Sequence, residues 1–344
     1  MNKEPLLSIC MATYKRESHI RRQYEYFVKE MEKIEEGLVE VIISNNASPD
    51  GTSDFLHSLE GRHPWLVINQ NNENIGCAGN LKLLLHMAKG IYFFMPGDDD
   101  YLRRGLVNYL VELLQDSSCA YVNLKTRLIC ERTKAINAEG KLYPVPYGEF
   151  VNLTNKQIYK CLMHDHSNLK FQTSCVVLHK LALQSEKEGA KIFTEEAINS
   201  NHSTFRSVRA MQQGKSFFTK EVWVLGGDEA TWSDQAINEQ SYDSQFISDL
   251  NKAGIEESDC RRLHKRITAN HVAGYLANKE LRKQWKSTGY SGFGINLIPD
   301  LSYLVVRKLL RKFNLSKGFE TIIVDPEVFG IEADSTVANL QGGE

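Results

Sequence analysis

The chain has 344 residues and a formal net charge of −2, from 41 Lys and Arg against 43 Asp and Glu. Apolar residues make up 42% and charged residues 24%, which fits a soluble globular protein and excludes wholesale disorder or a fibrous chain. The near-neutral balance argues against a general nucleic-acid binder, which needs a basic excess. At about 150 residues per domain, the length suggests two domains.

No apolar run approaches the roughly 18 to 20 residues of a membrane-spanning helix. Residues 1–5 show no basic segment leading into an apolar signal core. The seven cysteines are scattered, odd in number and without a C-x-x-C pair. Neither a zinc site nor a disulfide framework is expected, and reduced thiols in a cytoplasm are.

Residues 6–12 form a short apolar run that ends in polar Thr13, Tyr14, Lys15 and Arg16, the pattern of a buried strand. Ile20, Tyr24, Phe27, Val28, Met31 and Ile34 follow at helical spacing, and Gly37 can close that helix. Residues 39–43 read as a second strand, and the S-N-N-A-S-P-D-G run from Ser44 is dense in turn formers. A short helix over 52–59 and a strand over 65–68 come next, then a polar loop and a helix over 80–89. Residues 91–95 read as a fourth strand, 103–115 as a helix and 120–124 as a fifth strand. After residue 126 the alternation blurs. Residues 141–148 read as a loop, 171–178 and 217–225 as strands, 205–213 as a helix closed by Gly214, and the chain beyond 235 as mainly helical.

Strands alternating with helices predict a mostly parallel sheet covered on both faces. Ligands in such sheets bind outside the carboxyl ends of the strands. Three polar segments fall at those ends: residues 13–16, 45–48 and 98–100.

Asp98, Asp99 and Asp100 are the sharpest feature. Adjacent carboxylates at a strand end repel one another unless a cation or donors compensate. A hard divalent ion does this, and Mg²⁺ typically takes one or two carboxylates plus substrate phosphates. The plain structural alternative is an acidic turn in which Asp100 caps the next helix. Asn45 and Asn46 carry both donors and acceptors, which suits the edge of a base, or else they form an Asx turn. Thr13 and Tyr14 offer a hydroxyl and a stacking ring, and Arg16 a phosphate partner; otherwise they line a strand–helix junction. Gly76 and Gly79 can let backbone approach a ligand, or mark a glycine turn with Asn80 as helix N-cap.

Together these four segments resemble the family 2 glycosyltransferases of GT-A fold. A-T-Y-K-R from Ala12, N-N-A-S-P-D-G-T from Asn45, the Asn74 to Asn80 loop and G-D-D-D from Gly97 stand in the family's order and spacing. The spelling is most similar to the abequosyltransferase-like branch, which builds bacterial surface polysaccharides. The resemblance implies an α/β GT-A domain over residues 1–232, with a nucleotide-sugar half (1–125) and an acceptor half (126–232). Residues 233–344 are expected to form a helical C-terminal region. It implies an inverting transfer from a nucleoside-diphosphate sugar, UDP- or CDP-linked, to a lipid-linked or oligosaccharide acceptor. It implies nucleotide contacts at Thr13, Tyr14, Arg16, Asn45, Asn46, Gly76, Asn80 and Asp98. Mn²⁺ or Mg²⁺ is implied on Asp98, Asp99 and Asp100, either as a D-x-D pair of Asp98 with Asp100 or with Asp99 as chief ligand.

The family's catalytic carboxylate pair has no direct counterpart. Counting back from Gly214 places His202 and Ser203 there, so His202 is a candidate base, with Glu195 and Glu196 just upstream. Arg307, Lys308, Arg311 and Lys312 lie among apolar residues. This pattern fits a helix at an anionic membrane surface, at the inner face of the cell membrane, or one packed on the protein itself or on a second copy. Two alternatives accompany the transferase: a sugar nucleotidyltransferase, whose Gly-rich phosphate loop is missing, and a non-catalytic nucleotide-sugar binder.

Overall fold

The computed structural model describes residues 4–115, 119–130, 133–134, 136, 139–141, 148–151, 153–158, 176–187, 190–193, 203–227, 248–262, 319–321 and 324–331. Glu195, Glu196, His202 and the basic segment of residues 307–312 lie outside them.

The first half alternates as its periodicity predicts. β1 (Leu7–Thr13) leads into α1 (Glu17–Met31), then β2 (Val39–Asn45), α2 (Thr52–His57), β3 (Leu66–Gln70), α3 (Gly76–Met87) and β4 (Tyr92–Phe94). β5 (Tyr101–Leu102), α4 (Leu106–Leu114) and β6 (Cys119–Leu128) follow. The second half adds β7 (Glu139–Lys141), β8 (Gly148–Val151), β9 (Val176–His179), β10 (Gln184–Lys187) and β11 (Ala190–Phe193). It ends with α5 (Ser203–Gln213), β12 (Lys215–Gly226) and β13 (Phe319–Thr321). Among the described residues beyond 235, 248–252 and 257–262 are helical.

The main sheet runs β3-β2-β1-β4-β9-β6-β12-β5, with β8 also on β12. β3, β2, β1 and β4 are all parallel. β9 then enters antiparallel to both β4 and β6, while β6 and β12 are parallel to each other. The four parallel strands thus all lie within residues 1–125, and the antiparallel pairings bring in strands from the part of the chain where the alternation blurred. A short apolar run predicts burial but not direction.

Side chains on β1 divide by pleat. Leu7, Ile9 and Met11 pack with α1, α2 and α4 on one face, through Ile20, Phe27, Leu56 and Leu110. Cys10 packs on the other, with Leu84 and Leu85 of α3 and Val208 and Met211 of α5. Strands buried on both faces read as continuous apolar runs, as β1 and β2 do. A third cluster joins Tyr101, Val222 and Leu225 to Phe329 and Ile331, so the C-terminal segment of residues 324–331 packs beside β5.

Two helix boundaries differ from expectation. α3 begins at Gly76 rather than Asn80, so Asn80 lies in its second turn and caps nothing. α4 begins at Leu106 behind Gly105, whose φ is +82°, so Asp100 does not cap it. Residues 141 and 148, the ends of the expected loop, belong to β7 and β8.

Gly90 sets how closely α3 returns to the sheet. Its N–H donates to Ser8 Oγ at 2.7 Å. Ser8 Oγ donates in turn to Glu40 Oε1, which also accepts from the Lys89 N–H. A Cβ at Gly90 would stand 2.6 Å from Ser8 N and 2.8 Å from Tyr92 O, both backbone atoms that cannot swing aside. Gly90→Ala is expected to cost about 1–3 kcal/mol of stability, seen as a lower urea midpoint; an unchanged midpoint would contradict this close approach.

Candidate active site

The carboxyl ends of β1, β2 and β4 meet in one corner. β4 is followed by Pro96, Gly97 and the acidic residues, which turn tightly into β5. The Gly97 N–H donates to Asp100 Oδ2 at 2.6 Å, and the Asp100 N–H donates to Gly97 O at 3.3 Å. Asp100 thus spends its carboxylate closing the turn.

Asp98 and Asp99 point elsewhere. Arg16 Nη1 lies 3.5 Å from Asp98 Oδ1 and 3.2 Å from Asp99 Oδ2. The three side chains are only 5%, 10% and 18% exposed. Burial pushes the Asp98 carboxyl up to about 6. Arg16 opposes that rise and Asp99 adds to it. Asp98 and Asp99 thus share the Arg16 guanidinium, while the Asp100 carboxylate is turned to the Gly97 N–H.

Among the described residues, no three carboxylate, imidazole or thiol groups form a ready cation cage. The donor chemistry present is a pair of nearly dry carboxylates, one of them held above the usual carboxylate range by burial. That fits a divalent ion completed by phosphate oxygens, as Mg²⁺ and Mn²⁺ accept.

Helix α1 holds this turn from behind. Its apolar stripe, Ile20, Phe27 and Met31, includes Gln23, which is buried. Gln23 Nε2 donates to Asp98 O at 3.2 Å and to Asp100 O at 2.6 Å. Arg22 Nη2 donates to Asp99 O at 2.9 Å and to Asp100 O at 3.3 Å, and its guanidinium lies 3.8 Å above the Tyr101 ring. Gly227 makes room for the turn: a Cβ there would stand 2.8 Å from Asp99 O. The sequence reading missed all three residues. The signal for Gln23 was present, as an uncharged polar residue on an otherwise apolar helical stripe.

The asparagines form a network inside the loops. Asn45, fully buried, donates from Nδ2 to Ser53 Oγ and Gln70 Oε1, and its Oδ1 accepts from the Ser48 N–H and Oγ. Asn46 Nδ2 donates to Asn74 Oδ1, while its Oδ1 accepts from Asn71 Nδ2 and the Ile75 N–H. Asn80 Oδ1 accepts from Ser44 Oγ and Asn71 Nδ2, and its Nδ2 donates to Ser44 O. These side chains fix the β2–α2 loop against the loop before α3. In this structure Asn45, Asn46 and Asn80 shape the cleft from within.

The rim is more open. Residues 72–78 are exposed, and Gly76, with φ +76°, turns the chain into α3. Tyr14 is part-buried, with Lys15 Nζ 5.1 Å from its ring centroid. Lys15 has φ +58° and Ala47 φ +56°, uncommon for residues other than glycine. The Lys15 N–H donates to Ser48 Oγ, and the Arg16 N–H to Thr52 Oγ1, which pins the strained junction.

The Asp98 shift has a signed consequence. A carboxyl raised from 3.8 to about 6 on folding contributes stability that is present below pH 3.8 and lost as pH rises through 6. Asn cannot ionise. Relative to Asp98→Asn, the metal-free wild type is expected to lose up to about 3 kcal/mol between pH 4 and 7, and no more above that. Urea midpoints of both proteins at each pH test this; parallel profiles would mean an ordinary carboxylate.

Residues 8–167 match the family model described as Glycosyl transferase family 2. The abequosyltransferase RfbV of Salmonella typhimurium is 26% identical over 133 residues, 38% of this chain and 39% of that protein. The hyaluronan synthase of Pasteurella multocida is 30% identical over 129 residues, 37% of this chain and 13% of that protein. The chain thus spans well under half the length of these curated relatives. A crystal structure of S. aureus TarS residues 1–349 in complex with UDP-GlcNAc superposes with a TM-score of 0.55 at 12% identity, covering 81% of this chain and 77% of that one. That likeness establishes the architecture. The match to the family 2 glycosyltransferase model thus covers residues 8–167, just under half of the chain, and the architecture is that of the GT-A fold.

Proposed function

We propose that the protein is a metal-dependent, inverting glycosyltransferase that moves a sugar from a nucleoside diphosphate to an acceptor hydroxyl in bacterial surface polysaccharide synthesis. The observation that carries this reading is the dry Asp98–Asp99 pair at the carboxyl end of β4, inside a family 2 domain. RfbV is named for a related transfer, which supports the polysaccharide setting.

In this reading Asp98 and Asp99 would hold Mn²⁺ or Mg²⁺ beside the donor diphosphate. The bound ion would stabilise the negative charge that develops on the departing nucleoside diphosphate. The Tyr14 ring offers a stacking face for the base. Arg16 and the exposed N–H groups at the start of α3, beside Gly76, face the phosphates. The asparagine network keeps both loops rigid, so little ordering entropy is lost when the nucleotide enters. Inversion needs one displacement: the acceptor oxygen bonds to the anomeric carbon as the diphosphate oxygen leaves. A base on the far side takes the hydroxyl proton, a role for which His202, Glu195 and Glu196 are the candidates. The basic segment of residues 307–312 supports an acceptor presented at an anionic membrane surface.

Thermal unfolding with Mn²⁺ against UDP, CDP, GDP and dTDP tests the donor site. A nucleotide at a hundredfold excess over its dissociation constant is expected to stabilise the protein by about 2.7 kcal/mol. Asp99→Ala should abolish the metal-dependent part of that gain and the transfer reaction. No stabilisation by any of the four in folded wild type, or a full gain in Asp99→Ala, would overturn the assignment.

A further inference from the structure

Arg16 is a cation placed against the same carboxylates that the metal reading requires. Its Nη1 is 3.2 Å from Asp99 Oδ2 and 3.5 Å from Asp98 Oδ1, with almost no solvent around it. Its backbone is tied to Thr52 Oγ1, and the preceding residue, Lys15, sits in the left-handed region. A strained junction held by cross-loop hydrogen bonds marks a position the surrounding structure enforces. Arg22, the other nearby guanidinium, is directed to the carbonyls of Asp99 and Asp100 and to the Tyr101 face.

One guanidinium offsets one of two carboxylate charges. A divalent ion arriving alone must share or displace it. A diphosphate carries two or more negative charges and accepts a guanidinium in the same forked geometry as a carboxylate. The entry to α3 belongs to the same corner: the Asn46 N–H donates to Thr13 O at 2.9 Å, and Asn46 Oδ1 accepts the Ile75 N–H at 3.0 Å. A diphosphate between α3 and Asp98 is therefore within the neighbourhood of Arg16.

We propose that Arg16 is the resting counter-ion of the metal site, and that it passes to the donor diphosphate as the metal takes the two carboxylates. This rests on the donor-site reading above. No covalent bond changes; one ion pair is exchanged for two. Metal and nucleotide then bind as a coupled pair, each raising the affinity of the other by the same factor.

Mn²⁺ binding, followed by the loss of the free-ion electron paramagnetic resonance signal, tests the idea in wild type, Arg16→Met and Arg16→Lys. Each is measured alone and with UDP or CDP. Wild type is expected to bind Mn²⁺ weakly alone and at least tenfold more tightly with nucleotide. Arg16→Met should bind Mn²⁺ alone at least tenfold more tightly than wild type, and gain less than threefold from nucleotide. Arg16→Lys, which keeps the charge but loses the fork, should fall between them. Should Arg16→Met fail to melt cooperatively, Arg16→Lys decides: unchanged coupling overturns the proposal. It is equally overturned if Arg16→Met binds Mn²⁺ no more tightly than wild type, if it keeps the tenfold enhancement, or if neither protein binds Mn²⁺. A wild type indifferent to both nucleotides counts against the donor-site reading, while the Mn²⁺-alone comparison still decides whether Arg16 occupies the metal's place.

Discussion

Two carboxylates and one guanidinium meet where water is nearly excluded, and the surrounding structure is organised around holding them there. A buried charge is tolerated only when it is paired and its remaining atoms are satisfied. Arg16 supplies the pairing for Asp98 and Asp99. Gln23 and Arg22 hold the carbonyls of the acidic turn, and Asp100 closes that turn on the Gly97 N–H. The balance is incomplete, because Asp98 remains well above the ordinary carboxylate range. Burial outweighs the attraction of Arg16 at that carboxyl.

The asparagine network has a different task. The loops after β2 and β3 carry many backbone groups that neither strand nor helix can satisfy. Asn45, Asn46 and Asn74 accept the N–H groups of Ser48, Ile75 and Gly76, and Asn80 donates to Ser44 O, while Asn69 and Asn71 brace these side chains. Such a network is costly if half-made and rigid when complete. Here it holds Gly76 and the start of α3 beside the acidic turn. Loop rigidity and charge placement thus come from separate residue sets that share one corner.

The parallel half was legible because its physics is local. Leu7 to Met11 and Val39 to Ile43 carry apolar residues on both faces, interrupted only by Ser8 and Glu40, which pair with each other. Ile20, Phe27 and Met31 repeat at helical spacing. The polar strand ends could then be placed in one cleft by topology alone. Gln23 escaped notice because a single glutamine does not disturb a helical period. Its significance lies in carbonyls about 75 residues away in the chain. β9 escaped for a related reason: four apolar residues predict a strand, but its antiparallel entry between β4 and β6 depends on partners distant in sequence.

By itself, the amino-acid sequence determined the βα alternation, the collection of Thr13 to Arg16, Asn45 to Ser48 and Asp98 to Asp100 at one end of the sheet, and the resemblance to family 2 glycosyltransferases. Periodicity, turn chemistry and motif order are properties of neighbouring residues. Only the tertiary structure decided that Asp98 and Asp99 share the Arg16 guanidinium while Asp100 closes the turn, and that Asn45, Asn46 and Asn80 are engaged inside the protein. Those outcomes depend on the direction of side chains brought together from β1, β2, α1, α3 and the turn after β4. Burial and charge pairing act between groups that are close in space, wherever they lie along the chain.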